Sequence, residues 1–172
     1  MSRESATQSG DRPADPAVEQ PYDGPNRTRL GSYSLCVDRD RILLARLSAI
    51  EVDVGAWTMP GGGLNFGEHP DAACLRELEE ETGLTGEIEG VAGMFSHVYE
   101  HSRFARGADL HFLGVIYRVR VTGGGLRDER DGTTDTAAWI PRDALASTRL
   151  VELARFGSQL AFPGIDLPEI VR

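Results

Sequence analysis

The chain has 172 residues, 40% hydrophobic and 26% charged, with 20 Gly, 2 Cys and a formal net charge of −9 at pH 7. That length and composition suit one globular domain, and no apolar run is long enough to span a membrane. An acidic surface repels nucleic acid and anionic lipid, so a role coating either one is disfavoured.

Residues 1–27 are rich in Ser, Asp, Pro, Gln and Gly and nearly free of aliphatic side chains. They predict a disordered arm, with the folded domain over residues 28–172. No apolar leader stands at that end, and Cys36 and Cys74 each lie in an apolar stretch. The expectation is a cytoplasmic protein with buried, reduced thiols, without a disulfide or zinc site. Residues 31–37 and 42–47 read as strands around the turn-like Asp38-Arg39-Asp40. Residues 57–59 form a short extended piece, and regular structure is expected to break at Pro60-Gly61-Gly62-Gly63. The clearest helix opens at Glu68-His69-Pro70-Asp71, with Pro in its first turn and acids at its positive end, and stops at Gly83. Ala72, Leu75, Leu78 and Thr82 recur at helical spacing and are expected to face inward. Further strands are expected over residues 87–91, 94–99 and 110–121, with loops at 102–108 and 122–136. A last strand at 137–140 precedes helices at 142–146 and 150–161. This irregular order predicts an α+β or mixed α/β sandwich.

Glu77, Glu80 and Glu81 are related by steps of three and four and share one helical stripe, with Glu68 just upstream. Like charges at this spacing repel, so a positive group should compensate. Arg76, an i,i+4 partner of Glu80, is one candidate; a hard cation with oxygen ligands is the other. An isolated run such as Glu79-Glu80-Glu81 is ordinarily a solvated helix face. Here the run belongs to a longer pattern. Glu68 follows Gly62 after five residues, Arg76-Glu77-Leu78 after seven more, then Glu80-Glu81 and Gly83-Leu84 after one each. Seven fixed residues and two aliphatic ones at set spacing recur by chance in about one window in 10⁸.

This pattern resembles the complete box of the Nudix hydrolase family, and residues 42–47, 57–63 and 137–141 are similar to its flanks. The resemblance implies a mixed β-sheet sandwiched between helices. It also implies an Mg²⁺-dependent pyrophosphohydrolase, with Mn²⁺ as a substitute, in which water attacks phosphorus. The implied substrate is a nucleoside diphosphate-linked compound: a nucleoside triphosphate, ADP-ribose or a nucleotide sugar. In this reading Glu77, Glu80 and Glu81 are inner metal ligands and the Gly61 carbonyl is an additional one. Glu68 is an outer ligand or charge stabiliser, and Arg76 orients the glutamates. Glu77, Glu80 and Arg76 form the candidate catalytic set. The general base is Glu77 or an acid of a later loop, Glu129, Asp131 or Asp135. The implied partner is a small nucleotide-like molecule, with no membrane and no nucleic acid, and a homodimer is compatible with the resemblance. A competing reading is a non-catalytic sensor of a nucleotide-like ligand, whose usual mark is a damaged box; this box is intact.

Candidate substrate contacts beyond the box's fixed residues are Arg46, which ends a strand leading to the glycine loop, and Phe66 and Tyr99. His97, His101, Arg103, Phe104 and Arg106 also fall near the expected cleft. Trp57, close to Pro60, reads as core.

Overall fold

Side-chain alternation along the strands decides which helix each core residue meets. The computed structural model describes residues 26–168 apart from 50, 52, 101–107, 130 and 131. The arm expected over residues 1–27 lies outside the described residues except at its end, where Arg27 already belongs to the first strand. His101, Arg103, Phe104, Arg106 and Asp131 lie outside them too.

Strand β1 (Arg27–Leu35) and the two-residue β2 (Val37–Asp38) divide the expected 31–37 run at Cys36 and enter different sheets. β2 pairs with β3 (Arg41–Leu47) across a hairpin whose turn holds Arg39 at φ 56°. β4 (Trp57–Thr58) pairs antiparallel with β3. β5 (Gly61–Gly63) runs antiparallel to β1. After helix α1 (Pro70–Thr82), β6 (Leu84–Tyr99) lies antiparallel to β7 (Leu110–Gly124), and β7 lies parallel to β1. One sheet is therefore mixed, in the order β5-β1-β7-β6. In the other, β8 (Thr134–Pro141) pairs along the whole of β3, so β2 and β4 share the opposite edge.

Tyr33, Leu35, Ile42, Leu44 and Ile116 point to one side, where Met59 and helix α2 (Glu152–Ala161) complete a core. Cys36, Leu43, Tyr117 and Val119 point to the other, against Cys74 and Leu78 of α1. The result is the α/β sandwich expected, with the sheets between helices. Both cysteines are buried and free. No described helix is long and apolar enough to cross a membrane.

Several local expectations change. His69 caps α1, Pro70 opens it and Gly83 ends it at φ 74°, as expected. Its inward face is rotated, however: Ala72 is exposed, while Ala73, Cys74, Leu78, Glu81 and Thr82 are buried. The helix turns toward the carboxylate side because Glu81 itself enters the protein. Residues 61–63, expected to break regular structure, form β5. The strands expected at 87–91 and 94–99 merge into β6, which absorbs register shifts around Gly86, Gly90 and Gly93 by bulging. Residues 142–147 coil as a 3-10 helix over only six residues (Arg142–Ser147). α2 starts at Glu152 because the preceding backbone pairs with Trp57: Trp57 N–H donates to Arg149 O (2.8 Å) and Val151 N–H to Trp57 O (3.0 Å). Trp57 packs against the α2-side core.

Candidate active site

β5 is the edge of its sheet, and α1 packs across it. Gly62 leaves room for a carboxylate there. A Cβ at that position would lie 2.7 Å from Glu77 Oε1 and 2.9 Å from Oε2. Gly61, at φ 145°, adopts a conformation that L side chains rarely take, and a Cβ would run into Ser32 O and Tyr33. Its N–H donates to Glu81 Oε2 (2.9 Å). The glycine strand thus receives two carboxylates one helical turn apart. At the start of α1, Ser32 Oγ donates to Pro70 O (2.7 Å), fixing the helix against β1.

Arg76 binds three glutamates. Its Nε and Nη2 donate to the two oxygens of Glu68 (2.8 and 3.0 Å), and its Nη1 to Glu77 Oε1 (2.8 Å) and Glu80 Oε2 (2.9 Å). Nη2 also reaches Gly63 O (3.3 Å). This fork, helped by the Asn65 N–H (2.8 Å), holds the Glu68 carboxyl down to about 2. Burial pushes Glu77 up, against the pull of Arg76. Burial pushes Glu81 well above the usual carboxylate range, opposed by the Gly61 N–H and reinforced by the charges of Glu77 and Glu129. Glu81 is 2% exposed, and among the described residues no Arg, Lys or His pairs with it. Its other contact is the Thr133 hydroxyl, which donates across 3.5 Å.

Among the described residues no three His, Cys, Asp or Glu side chains form a ready cage for an ion. Arg76 stands between Glu68, Glu77 and Glu80. The donor chemistry nonetheless suits a hard divalent cation. It offers carboxylate and backbone oxygens and a buried, uncompensated Glu81 crowded by two further acids.

A cavity of about 480 Å³ opens beside Gly61, Gly62 and Glu81. Tyr33, Phe112, Leu47 and Leu153 wall it, and Tyr99 stands at its border with a larger cavity of about 870 Å³. The larger space touches none of the box glutamates, so the smaller is the one that meets the chemistry.

The other candidates distribute as follows. Glu129 accepts from Thr134 N–H (3.1 Å) and Thr134 Oγ1 (2.8 Å), and its charge reaches Glu77 and Glu81. Asp135 is instead bound by Arg46 through two contacts (2.8 and 3.2 Å), and neither residue lines the cavity. Phe66 is fully exposed and away from both cavities. His97 pairs with Glu152 (2.9 Å) and packs on the Tyr99 ring, 4.4 Å between centroids. Several lining residues escaped the sequence reading, among them Thr133, which reaches Glu81, and Arg29. Arg29 shares the period-two face of β1 with Gly31 and Tyr33, a face that joins the site only because β5 pairs with β1.

Comparison with known proteins is consistent with this geometry. A family model described as the NUDIX domain matches residues 26–158. A MutT-like protein of Streptomyces ambofaciens is 30% identical over 109 residues, 63% of this chain and 62% of that protein. An ADP-ribose pyrophosphatase of Methanocaldococcus jannaschii is 33% identical over 73 residues, 42% of this chain and 40% of that protein. The chain therefore spans less than two thirds of the length of these relatives. The crystal structure of a MutT NUDIX hydrolase from Burkholderia pseudomallei superposes with a TM-score of 0.66 at 25% identity, covering 78% of this chain and 98% of that one. On the family match over most of its length, and on a box whose glutamates gather at one glycine strand, this chain belongs to the NUDIX-domain family.

Proposed function

We propose that the protein is a divalent-cation-dependent pyrophosphohydrolase acting on a nucleoside diphosphate-linked substrate in the cytoplasm. The observation that carries this reading is Glu81, buried without a countercharge at the end of a 480 Å³ cavity with Glu77 and Glu129 close by. Glu77, Glu80 and Glu81 would hold the cation, Mg²⁺ or Mn²⁺, with the Gly61 carbonyl as a further donor and Glu68 outside. Bound there, such an ion supplies charge neutralisation for phosphoryl oxygens and acidifies a coordinated water.

The protein's own groups do the positioning. Gly61 N–H fixes the Glu81 carboxylate. Arg76 sets the angle of Glu68, Glu77 and Glu80 and limits their mutual repulsion. A water oxygen attacks phosphorus, the P–O–P bond breaks, and the bridging oxygen departs with the leaving phosphate. The water's proton passes to a carboxylate, Glu77 or a loop acid, and Glu129 is the loop acid we favour, because it is held by Thr134 and its charge acts on Glu77 and Glu81. The apolar and aromatic cavity walls exclude bulk water from the remainder of the substrate. The ADP-ribose pyrophosphatase among the relatives supports a substrate of this class, and two buried free thiols suit a reducing compartment.

The test is hydrolysis of nucleoside triphosphates, ADP-ribose and nucleotide sugars with Mg²⁺ in ¹⁸O-labelled water. The expected result is turnover of at least one, with a single ¹⁸O in one phosphate-bearing product. Tight binding without turnover across the whole panel would replace this reading by a ligand sensor.

A further inference from the structure

Arg29 projects from β1 at the mouth of the cavity, with its Nη2 3.0 Å from where a Cβ of Gly63 would stand. It thus rests on the glycine strand, two residues beyond Gly61, where Glu81 is held. Two residues of strand span about 7 Å. Among the described residues lining the cavity Arg29 is the only cation, against Glu51, Asp53, Glu81 and Glu100. Among the described residues it makes no ion pair and donates no hydrogen bond. Seven of the eleven other described arginines are engaged: Arg41, Arg46, Arg76, Arg120, Arg127, Arg149 and Arg155 each donate to a carboxylate or carbonyl. With no side chain on Gly63 the guanidinium lies against bare backbone, and its five N–H donors stay open to a ligand. Tyr33 folds over Gly31 on the same face, close enough for the Arg29 charge to act on its hydroxyl.

Arg29 is exposed, so its guanidinium is hydrated and free to exchange water for a ligand, and it is the positive group that an anion entering this otherwise acidic cavity meets. In the proposed reading the glutamate cluster holds the phosphates at the cleaved bond, and Arg29 rests about 7 Å along β5 from the residue that binds Glu81, beyond the span of a single phosphate unit. We infer that Arg29 is a phosphate-binding residue of this site and that it selects a 5′-triphosphate over a substrate carrying only a diphosphate. This rests on the pyrophosphohydrolase reading and narrows its substrate class. A triphosphate reaches both the glutamates and Arg29, whereas a diphosphate-linked sugar leaves the guanidinium unused. The acidic surface favours a free nucleotide over an RNA end as the bearer of that triphosphate.

Two measurements test this. In steady-state kinetics with Mg²⁺, the ratio of kcat/KM for ATP to that for ADP-ribose is compared in wild type, Arg29→Ala, Arg29→Lys and the control Arg27→Ala. Arg29→Ala is expected to lower the ratio about 10- to 100-fold, mainly through KM for ATP, with partial recovery in Arg29→Lys and none of the effect in Arg27→Ala. Calorimetry with inorganic tripolyphosphate reads the same contact without turnover: affinity should fall by a similar factor in Arg29→Ala while pyrophosphate affinity falls less. An unchanged kinetic ratio together with unchanged tripolyphosphate affinity overturns the proposal. Absence of all turnover with an Arg29-dependent tripolyphosphate affinity would leave the phosphate contact standing and overturn the pyrophosphohydrolase reading instead. A 5′-triphosphorylated oligoribonucleotide turned over in preference to ATP would overturn the assignment to a free nucleotide.

Discussion

Glu81 and the two cysteines are the most deeply buried ionisable groups near the α1 face, and burial acts on them in the same direction. It pushes the Cys36 and Cys74 thiols up to about 12, from an ordinary value near 9. At pH 7 both are protonated in the folded and unfolded chain and contribute no pH dependence. Above pH 9 the unfolded chain releases thiol protons that the folded one keeps, so stability is expected to fall from about pH 9 toward 12. The corresponding check is thiol-reagent labelling at pH 8. Both cysteines should be inert in the native protein and react fully once it is unfolded; rapid native labelling would contradict the burial. Glu81 differs in having acids around it, and its carboxylate is the one that a cation would relieve. The glutamates were legible in the sequence because the helix fixes their spacing locally. Arg29 was not, because its proposed role depends on β5 being laid beside β1, a contact between residues about thirty apart in the chain.

At the scale of elements the same division holds. α1 could be read from Pro70, Gly83 and the glutamate spacing, since its caps and periodicity are all within one segment. Its rotation could not, because Glu81 is drawn inward by the Gly61 N–H of another element. β5 was hidden for a related reason. Three glycines carry no strand propensity, and their extended form is imposed by β1 on one side and permitted by the missing side chains against Glu77 on the other. Arg46, a sequence candidate for phosphate, instead joins the end of β3 to the start of β8 through Asp135. Both side chains are 43% exposed, so solvent screens the pair. A double-mutant cycle of Arg46→Gln and Asp135→Asn by urea denaturation should give little or no coupling. Turnover in Arg46→Gln should stay within a few-fold of wild type. A loss of kcat/KM beyond about 10-fold would return Arg46 to the substrate site.

For the whole molecule, a net charge of −9 and the proposed polyanionic substrate would be reconciled by place. Acids gather at one glycine strand, where the proposed divalent ion would reverse their sign, and among the described residues lining the cavity the one cation, Arg29, stands beside them. The fold supplies this by setting an edge strand of one sheet against α1 and leaving a cavity on the face toward α2. Composition and charge alone argued only against nucleic-acid and membrane coats; the box brought the chemistry into view, and packing showed which acids face the cavity. The most direct test is Glu81→Gln, assayed with Mg²⁺ on the best substrate of the panel alongside thermal unfolding of the metal-free protein. The expected result is a kcat lowered by at least about 10²- to 10³-fold. The melting temperature should be no lower than wild type, because the amide can still accept from Gly61 and no longer buries a charge. Full Mg²⁺-dependent turnover in a folded Glu81→Gln protein would contradict the central claim.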